Sequence, residues 1–411
     1  MQFIYSSFIL AFRFLLGIAS LFNQKARLFV CGRKGWKEAL EDRIEKDARY
    51  IWFHCASLGE FEQGRPLIEM IRSNYKQYKI VLTFFSPSGY EMRKNYDGAD
   101  IVMYLPVDTH ANAKIFLDII KPEKVFFIKY EYWYFFLLET HRRGIPLFLA
   151  SAVFHADGIF FRKNFIGKWF RRILMKFDHI FVQDDKSAQL LRTAGITECT
   201  VSGDTRIDRV AAIARNAKDI PFIERFKDRS PLIIAGSTWK PDEDLLSGFI
   251  NNNSNVKIIF APHEVSNANI QRLQQMLKAP SVRFSKINDI DIIDYKILII
   301  DSIGLLSSIY KYGSVAYIGG GFGAGIHNIL EPAVFGLPVI FGPNHEKFKE
   351  ATDLKLLKGG WSVKNSKQLE NVLNILLNNP AELSASSEIC KNYVLKNIGA
   401  ASIIINKVFN N

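Results

Sequence analysis

From residue 50 onward, short β-branched and aromatic runs alternate with helical stretches, and the alternation runs through twice. The first series is YIWFHCA, KIVLTFF, DIVMYLP, KVFFIKY, PLFLASA and HIFVQDD. The segment VSGDTRIDRVAAIARNAKD follows, and a second series begins: PLIIAGS, VKIIFAP, KILIIDS, SVAYIGGG and PVIFGP. Such alternation is the pattern of parallel βαβ units. The restart predicts two similar α/β domains joined near residues 204–228, and a chain of 411 residues is long enough for both. Ligands of open parallel sheets gather outside the carboxyl ends of the strands, so the residues just after each run are the candidates for chemistry. Two such domains place the expected active site in a cleft between them.

Ahead of the first series lies FIYSSFILAFRFLLGIASLF (3–22), an apolar run of about bilayer length interrupted by Arg13. A charge at mid-membrane costs roughly 2.5 to 3.5 kcal/mol, so a spanning anchor and an interfacial helix both stay open. No small-residue cleavage site follows. Lys25, Arg27, Arg33, Lys34 and Lys37 come next and put the rest of the chain on the cytoplasmic side. The membrane reading is preferred to a buried N-terminal helix. The four cysteines form no CxxC pair and have no histidine at metal-ligand spacing, which fits a reducing compartment. A net charge of +12 favours an anionic partner. The basic and aromatic stretch FFRKNFIGKWFRRILMKF (160–177) suits a lipid interface better than a nucleic-acid groove. Within it, 166–177 plots as an amphipathic helix, for which packing on the protein's own core is the favoured reading.

Glu60 follows the first run and precedes the helical stretch EQGRPLIEMIR. Ser57 and Glu60 have the spacing of a capping box, the favoured local reading; a strand-end carboxylate beside Gly59 can also serve as a general base. Glu131, in FFIKYEYWYFF, is a second strand-end acid among aromatics that raise its pKa if they bury it. The densest signal is YIGGGFGAGIHNILEPAVFGLPVIFGP (317–343), a strand, a glycine-rich loop, a helix start and a strand. Such a loop brings main-chain amides up to a phosphate. Gly319, Gly321 and Ala324 match a dinucleotide pattern, but no acid ends the next strand to hold a ribose. Glu331 lies in the first turn of the helix, where it complements the dipole or accepts from ribose hydroxyls. His327 and Asn328 are read as caps of that helix.

HCASLGEFEQGRPLIEMIR, SPSGYE, YEYW, RRGIPLFLASA, SGDTRID, AGSTWKPDED, FAPHE and the glycine-rich segment occur in this order. In order and spacing they resemble the 3-deoxy-D-manno-octulosonic acid (Kdo) transferases of Gram-negative bacteria, over nearly the whole chain. The resemblance implies the GT-B glycosyltransferase fold, two Rossmann-like domains facing a cleft, with an N-terminal membrane-anchoring helix. It implies an anchor at 1–26, an acceptor-binding domain at 27–205, a CMP-sugar-binding domain at 206–395 and a tail at 396–411. The implied activity is inverting transfer of Kdo from CMP-Kdo to a phosphorylated lipid A precursor of lipid IVA type, in lipopolysaccharide biosynthesis. The implied place is the cytoplasmic face of the cell inner membrane, in contact with its lipids, with no nucleic acid and no cofactor or metal.

By the same resemblance Glu60 is the general base, Glu131 stabilises the transition state and Arg206 is the basic residue of the GDTRID segment. CMP contacts fall on Pro262 and His263, on Gly304, Leu305 and Leu306, and on Asn328, Ile329, Leu330 and Glu331. The chain departs from the usual pattern in having His263 for arginine, Leu305 for glutamate, Arg206 for lysine, and Lys129 where an acid is common. Rival readings are a GT-B transferase using a UDP-sugar on a lipid, and a basic membrane-bound binding protein without catalysis. A dinucleotide-dependent oxidoreductase is the least favoured.

Overall fold

The computed structural model describes residues 1–287 and 291–410. The chain forms two compact units, Met1–Arg209 with Gly399–Asn411, and Val210–Ile398.

In the first unit, strands β1 (Arg49–Cys55), β2 (Tyr78–Phe84), β3 (Ile101–Tyr104), β4 (Lys124–Ile128), β5 (Leu147–Ala152), β6 (His179–Val182) and β7 (Cys199–Val201) form one sheet. Its order is β3-β2-β1-β4-β5-β6-β7, and every pairing is parallel. Because crossover helices cover both faces, the strands are apolar throughout instead of alternating. Ile51 and Phe53 pack to one side with Ile80, Leu82 and Phe126, while Trp52 packs to the other with Val81, Phe127 and Leu149.

The second unit repeats the plan with β8 (Leu232–Thr238), β9 (Lys257–Pro262), β10 (Ser281–Arg283), β11 (Ile297–Ile299), β12 (Val315–Ile318), β13 (Val339–Phe341) and β14 (Gly360–Ser362). The order is β10-β11-β9-β8-β12-β13-β14, again parallel. All eleven expected runs are strands. The additional β7, β10 and β14 are three-residue edge strands with no apolar run to announce them.

Helix α1 (Gln2–Ala19) lies on the first unit. Ile9 is buried and Tyr5, Phe12 and Leu16 are half-buried, a stripe at helical spacing. The Tyr5 hydroxyl donates to Asp108 Oδ2 at 2.5 Å, and the Phe12 ring packs on Phe29 and Phe85. Asp108 also accepts from the Phe135 and Phe136 amides, so one carboxylate ties α1 to the start of helix Tyr134–Arg142. The opposite side of α1 is bare: Phe3, Phe8, Phe14 and Leu15 are 62 to 83% exposed. The stretch around Trp169 is helix Phe165–Leu174, and its apolar arc packs inward: Ile173 and Leu174 are buried while Trp169 touches Tyr5 and Tyr134. Lys168 and Arg172 stay exposed.

The segment expected as a C-terminal tail carries helix Ala400–Phe409, which buries Ala401, Ile404, Ile405 and Val408 in the first unit. The chain leaves that unit within helix Thr205–Arg215, and Asp208 of this helix accepts from the Gly399 and Ala401 amides at 2.7 and 2.9 Å where it returns. Ile405→Ala is expected to cost about 2 to 5 kcal/mol through the cavity it leaves. Denaturant unfolding followed by probes in each unit should show a lower midpoint for the first; an unchanged midpoint contradicts this packing.

Candidate active site

In each sheet the strand order turns about its middle, at β1/β4 in the first and β8/β12 in the second. Connections leaving the two strands diverge there and open a crevice at their carboxyl ends. In the first unit the residues following those ends are Glu60 and Glu131.

Glu60 sits in the first turn of helix Leu58–Asn74, whose N-cap is Ser57. The Ser57 Oγ accepts from the Glu60 amide at 3.4 Å, and Glu60 Oε2 accepts from the Ala56 and Ser57 amides at 2.5 and 3.3 Å. The capping box is therefore complete. All of its carboxylate contacts fall on Oε2; Oε1 accepts no hydrogen bond among the described residues and is not sealed from solvent. Burial, with the Glu131 charge adding to it, pushes the Glu60 carboxyl up to about 8, against the two amides and Lys129, which favour the anion.

Glu131 is buried just past the end of β4. Its Oε2 meets His54 Nε2 at 3.1 Å and accepts from the Trp133 indole N–H. His54 lies on β1, where the register sets it beside Thr83 of β2, and its Nδ1 meets Thr83 Oγ1 at 2.8 Å. That hydroxyl can donate to the Phe53 carbonyl at 3.2 Å and accepts from Trp52 Nε1 at 2.8 Å. A chain of side chains thus runs from the core of the sheet to the Glu131 carboxylate. His54, Thr83 and Trp133 were not singled out from the sequence; the signal was a histidine and a threonine inside otherwise apolar strands.

Arg206 opens helix Thr205–Arg215 and is gripped by Asp204, whose Oδ2 accepts from Nε and Nη2 at 2.9 and 2.6 Å. Tyr130 feels both groups: burial and the Glu60 charge raise its hydroxyl pKa while Arg206 lowers it. Glu60, Glu131 and Arg206 therefore share one neighbourhood.

In the second unit, Asp242 organises the glycine-rich loop. Its carboxylate accepts from the Trp239 amide at 2.9 Å, the Tyr317 hydroxyl at 2.8 Å and the Gly320 amide at 3.0 Å. A Cβ on Gly319 would stand 2.2 Å from the Ser237 carbonyl, and Gly320 has φ +93°, so neither position tolerates a side chain. His263, at the end of β9, stacks between Trp239 and His327 with ring centroids 4.4 and 4.7 Å away. The Trp239 indole donates to His327 Nε2 at 3.1 Å, and burial together with His263 lowers the His327 pKa, so its Nε2 is the acceptor of a neutral ring. A pocket of about 400 Å³ opens here, lined by Trp239, Pro241, Asp242, Phe322 and His327 with the glycines.

The remaining expected donor residues surround the same strand ends. Pro262 ends β9, and Leu306 Cδ2 lies 3.1 Å from where a Cβ on Gly236 of β8 would be. Gly304 has φ +100° and, with Leu305, leads into helix Leu306–Ile309. Asn328 Oδ1 accepts from the Leu330 amide and its Nδ2 donates to Glu331 Oε1, both at 3.1 Å. The Ile329 and Leu330 side chains are buried, which leaves the main chain as their route to a ligand.

Two parallel seven-stranded units with polar groups at each reversal of strand order define the GT-B type of fold. The same fold is seen in a UDP-GlcNAc 2-epimerase from Neisseria meningitidis (TM-score 0.63, 14% identity, 88% of this chain and 100% of that one) and in a putative one from Listeria monocytogenes (0.61, 13%, 88% and 96%). Residues 32–209 match the family model for 3-deoxy-D-manno-octulosonic-acid transferase. Transferases of that name from Aquifex aeolicus (28% identical, 82% of this chain and 89% of the relative) and Rickettsia bellii (26%, 86% of each) are similar over most of their length. The chain is thus similar to the Kdo transferases over more than four fifths of its length, and that similarity supports a glycosyltransferase.

Asp242→Ala removes the acceptor of three hydrogen bonds and leaves the Gly320 amide unpaired. It is expected to destabilise the second unit by about 2 kcal/mol or more. Amide hydrogen exchange at Gly320 should rise sharply; protection equal to the parent protein's would refute this account of the loop.

Proposed function

We propose that the protein transfers Kdo from CMP-Kdo to a phosphorylated lipid A precursor of lipid IVA type, with inversion, as a step in lipopolysaccharide biosynthesis. The observation that carries the chemical part is the division of labour within Glu60, whose Oε2 holds the helix start while Oε1 has no partner among the described residues. A carboxylate with a raised pKa and one open oxygen is suited to take a proton from an acceptor sugar hydroxyl. The oxygen then attacks the anomeric carbon of Kdo, the bond to the CMP phosphate breaks, and CMP departs. A phosphate leaving group needs positive charge rather than a proton, and Arg206, oriented by Asp204, is assigned that task.

Glu131 is assigned to charge stabilisation in the transition state, with His54 and Trp133 holding its carboxylate in place. In the second unit, the donor's CMP is assigned to Pro262, His263, the Gly304–Leu306 turn and the segment Asn328–Glu331, beside the glycine-rich loop. The aromatic and imidazole stack stands where an arginine is usual in the family pattern, so flat rings and main-chain amides replace a guanidinium there. Among the described residues, α1 is the helix long and apolar enough to cross a membrane. Its inner stripe on the protein and bare outer side favour a helix lying in the cytoplasmic surface of the inner membrane, with the exposed Lys168 and Arg172 beside it.

Incubation with CMP-Kdo and a tetraacylated lipid A precursor should add the mass of Kdo to the acceptor, and UDP-sugars should not substitute; an acceptor left unchanged with fresh donor would overturn the reading. Glu60→Gln keeps an oxygen for the cap, so stability should stay within about 1 kcal/mol while transfer falls by a factor of a hundred or more. Since the base acts deprotonated, the transfer rate of the parent protein should climb as pH rises toward about 8. A rate independent of pH from 6 to about 9 would remove Glu60 from that role.

A further inference from the structure

Between α1 and the helix that follows it, α2 (Gln24–Cys31), lies a pocket of about 340 Å³ that the reaction leaves unused. Three cations line it, Arg13, Arg33 and Lys34, against apolar walls that include Leu16, Phe29 and Trp36. Arg33 is 8% exposed and pairs with no carboxylate among the described residues. Its guanidinium stacks on the Phe29 ring at 3.6 Å and donates from Nε, Nη1 and Nη2 to the Leu105, Phe29 and Phe85 carbonyls at 2.8, 2.9 and 2.7 Å. A guanidinium has five N–H groups, so one on each terminal nitrogen is left over. Arg13 and Lys34 are exposed and make no ion pair among the described residues. Three positive charges thus converge with no negative charge to balance them, and burial alone lowers the Arg33 pKa to about 9.

The pocket's surroundings identify what kind of anion completes it. It borders the apolar outer side of α1, where Phe14, Leu15 and Ile18 are 47 to 70% exposed. A helix of this kind buries its apolar side at the boundary between headgroups and acyl chains. Cations beside it then lie at headgroup depth, where the abundant anion is a phosphate attached to acyl chains. A guanidinium with parallel N–H groups matches phosphate oxygens, and the Leu16, Phe29 and Trp36 walls match the adjoining glycerol and first methylenes.

We propose that this pocket is a binding site for the phosphate of an anionic bilayer phospholipid, which seats α1 at a fixed depth and rotation on the membrane surface. It is separate from the donor and acceptor chemistry, and its test needs no turnover.

The test uses the full-length protein in neutral detergent and two soluble probes, a short-chain phosphatidylglycerol below its micelle concentration and inorganic phosphate, with binding followed by calorimetry. The short-chain lipid should bind saturably at one site, and inorganic phosphate at least tenfold more weakly. R13Q/K34Q, which spares the buried guanidinium, should weaken lipid binding roughly thirtyfold, since each of the two surface cations contributes about 1 kcal/mol. K168Q/R172Q, which removes two exposed cations outside the pocket, should leave it unchanged. Absent saturable binding, equal affinity for the two phosphates, or equal loss in both double variants would each overturn the proposal. In transfer assays R13Q/K34Q should keep the KM for the lipid A precursor; a KM raised tenfold would give the pocket to the acceptor's own phosphate and overturn the phospholipid assignment.

Discussion

The feature on which both units depend is a parallel sheet that must be wound in two directions from its middle. Parallel strands need crossover helices, and a sheet buried on both faces must send its first and second sets of crossovers to opposite sides. The winding reverses at β1 with β4 and at β8 with β12, where connections leaving neighbouring strands diverge. Everything polar that matters lies there: Glu60 and Glu131 in one unit, the Asp242-bound glycine loop and the ring stack in the other. The apolar cores below, with Trp52, Phe127, Tyr317 and Ile340 fully buried, fix those strand ends to the precision of side-chain packing.

The Glu60 carboxylate shows how such a position keeps a raised pKa without losing the helix start. Two main-chain amides favour its anion, and burial with the Glu131 charge opposes it more strongly. The net rise in pKa has a thermodynamic consequence with a definite sign. Between the ordinary glutamate value of 4.5 and about 8 the folded state holds a proton that the unfolded chain has released, so this group's contribution to stability declines as pH rises through that window. The same ionisation generates the base proposed above. Stability and reactivity therefore draw in opposite directions on one proton, and the amides at Oε2 limit how far the anion destabilises the helix start.

Much of this was legible in the sequence because it rests on local pattern. The strand runs, the restart near residue 204 and the Ser57–Glu60 spacing all depend on residues within a few positions of each other, and eleven strands and the capping box appear where expected. What was not legible depends on register and distance. His54 reaches Thr83 because β1 and β2 pair in one particular register, and nothing in either run announces it. Asp242 reads as an ordinary helix-start acid until β8 and β12 are adjacent and its carboxylate meets Tyr317 and Gly320. The edge strands β7, β10 and β14 are too short to show a pattern and exist because a neighbour supplies the hydrogen bonds. The helix at 400–409 was invisible as part of the first unit for the same reason: its partners, among them Ile71 and Val102, lie some three hundred residues earlier.

The N-terminal helix brings these two kinds of information together. Its composition leaves a spanning and a surface helix equally acceptable, since 18 residues of mean hydropathy 1.6 satisfy both. Contacts that no hydropathy value contains favour the surface helix proposed above. Tyr5 is committed to Asp108, and Phe12 to Phe29 and Phe85, which spaces the protein-facing stripe along the whole helix. A helix crossing the bilayer would have to give up those contacts and carry Arg13 into hydrocarbon, whereas a helix lying at the surface keeps them and leaves the arginine among headgroups. Phe85, which packs against this stripe, also stacks on Trp133 at 4.1 Å, and Trp133 donates to Glu131. Two aromatic rings therefore separate α1 from a carboxylate assigned to the chemistry, a short path between the proposed membrane-facing helix and the proposed active site.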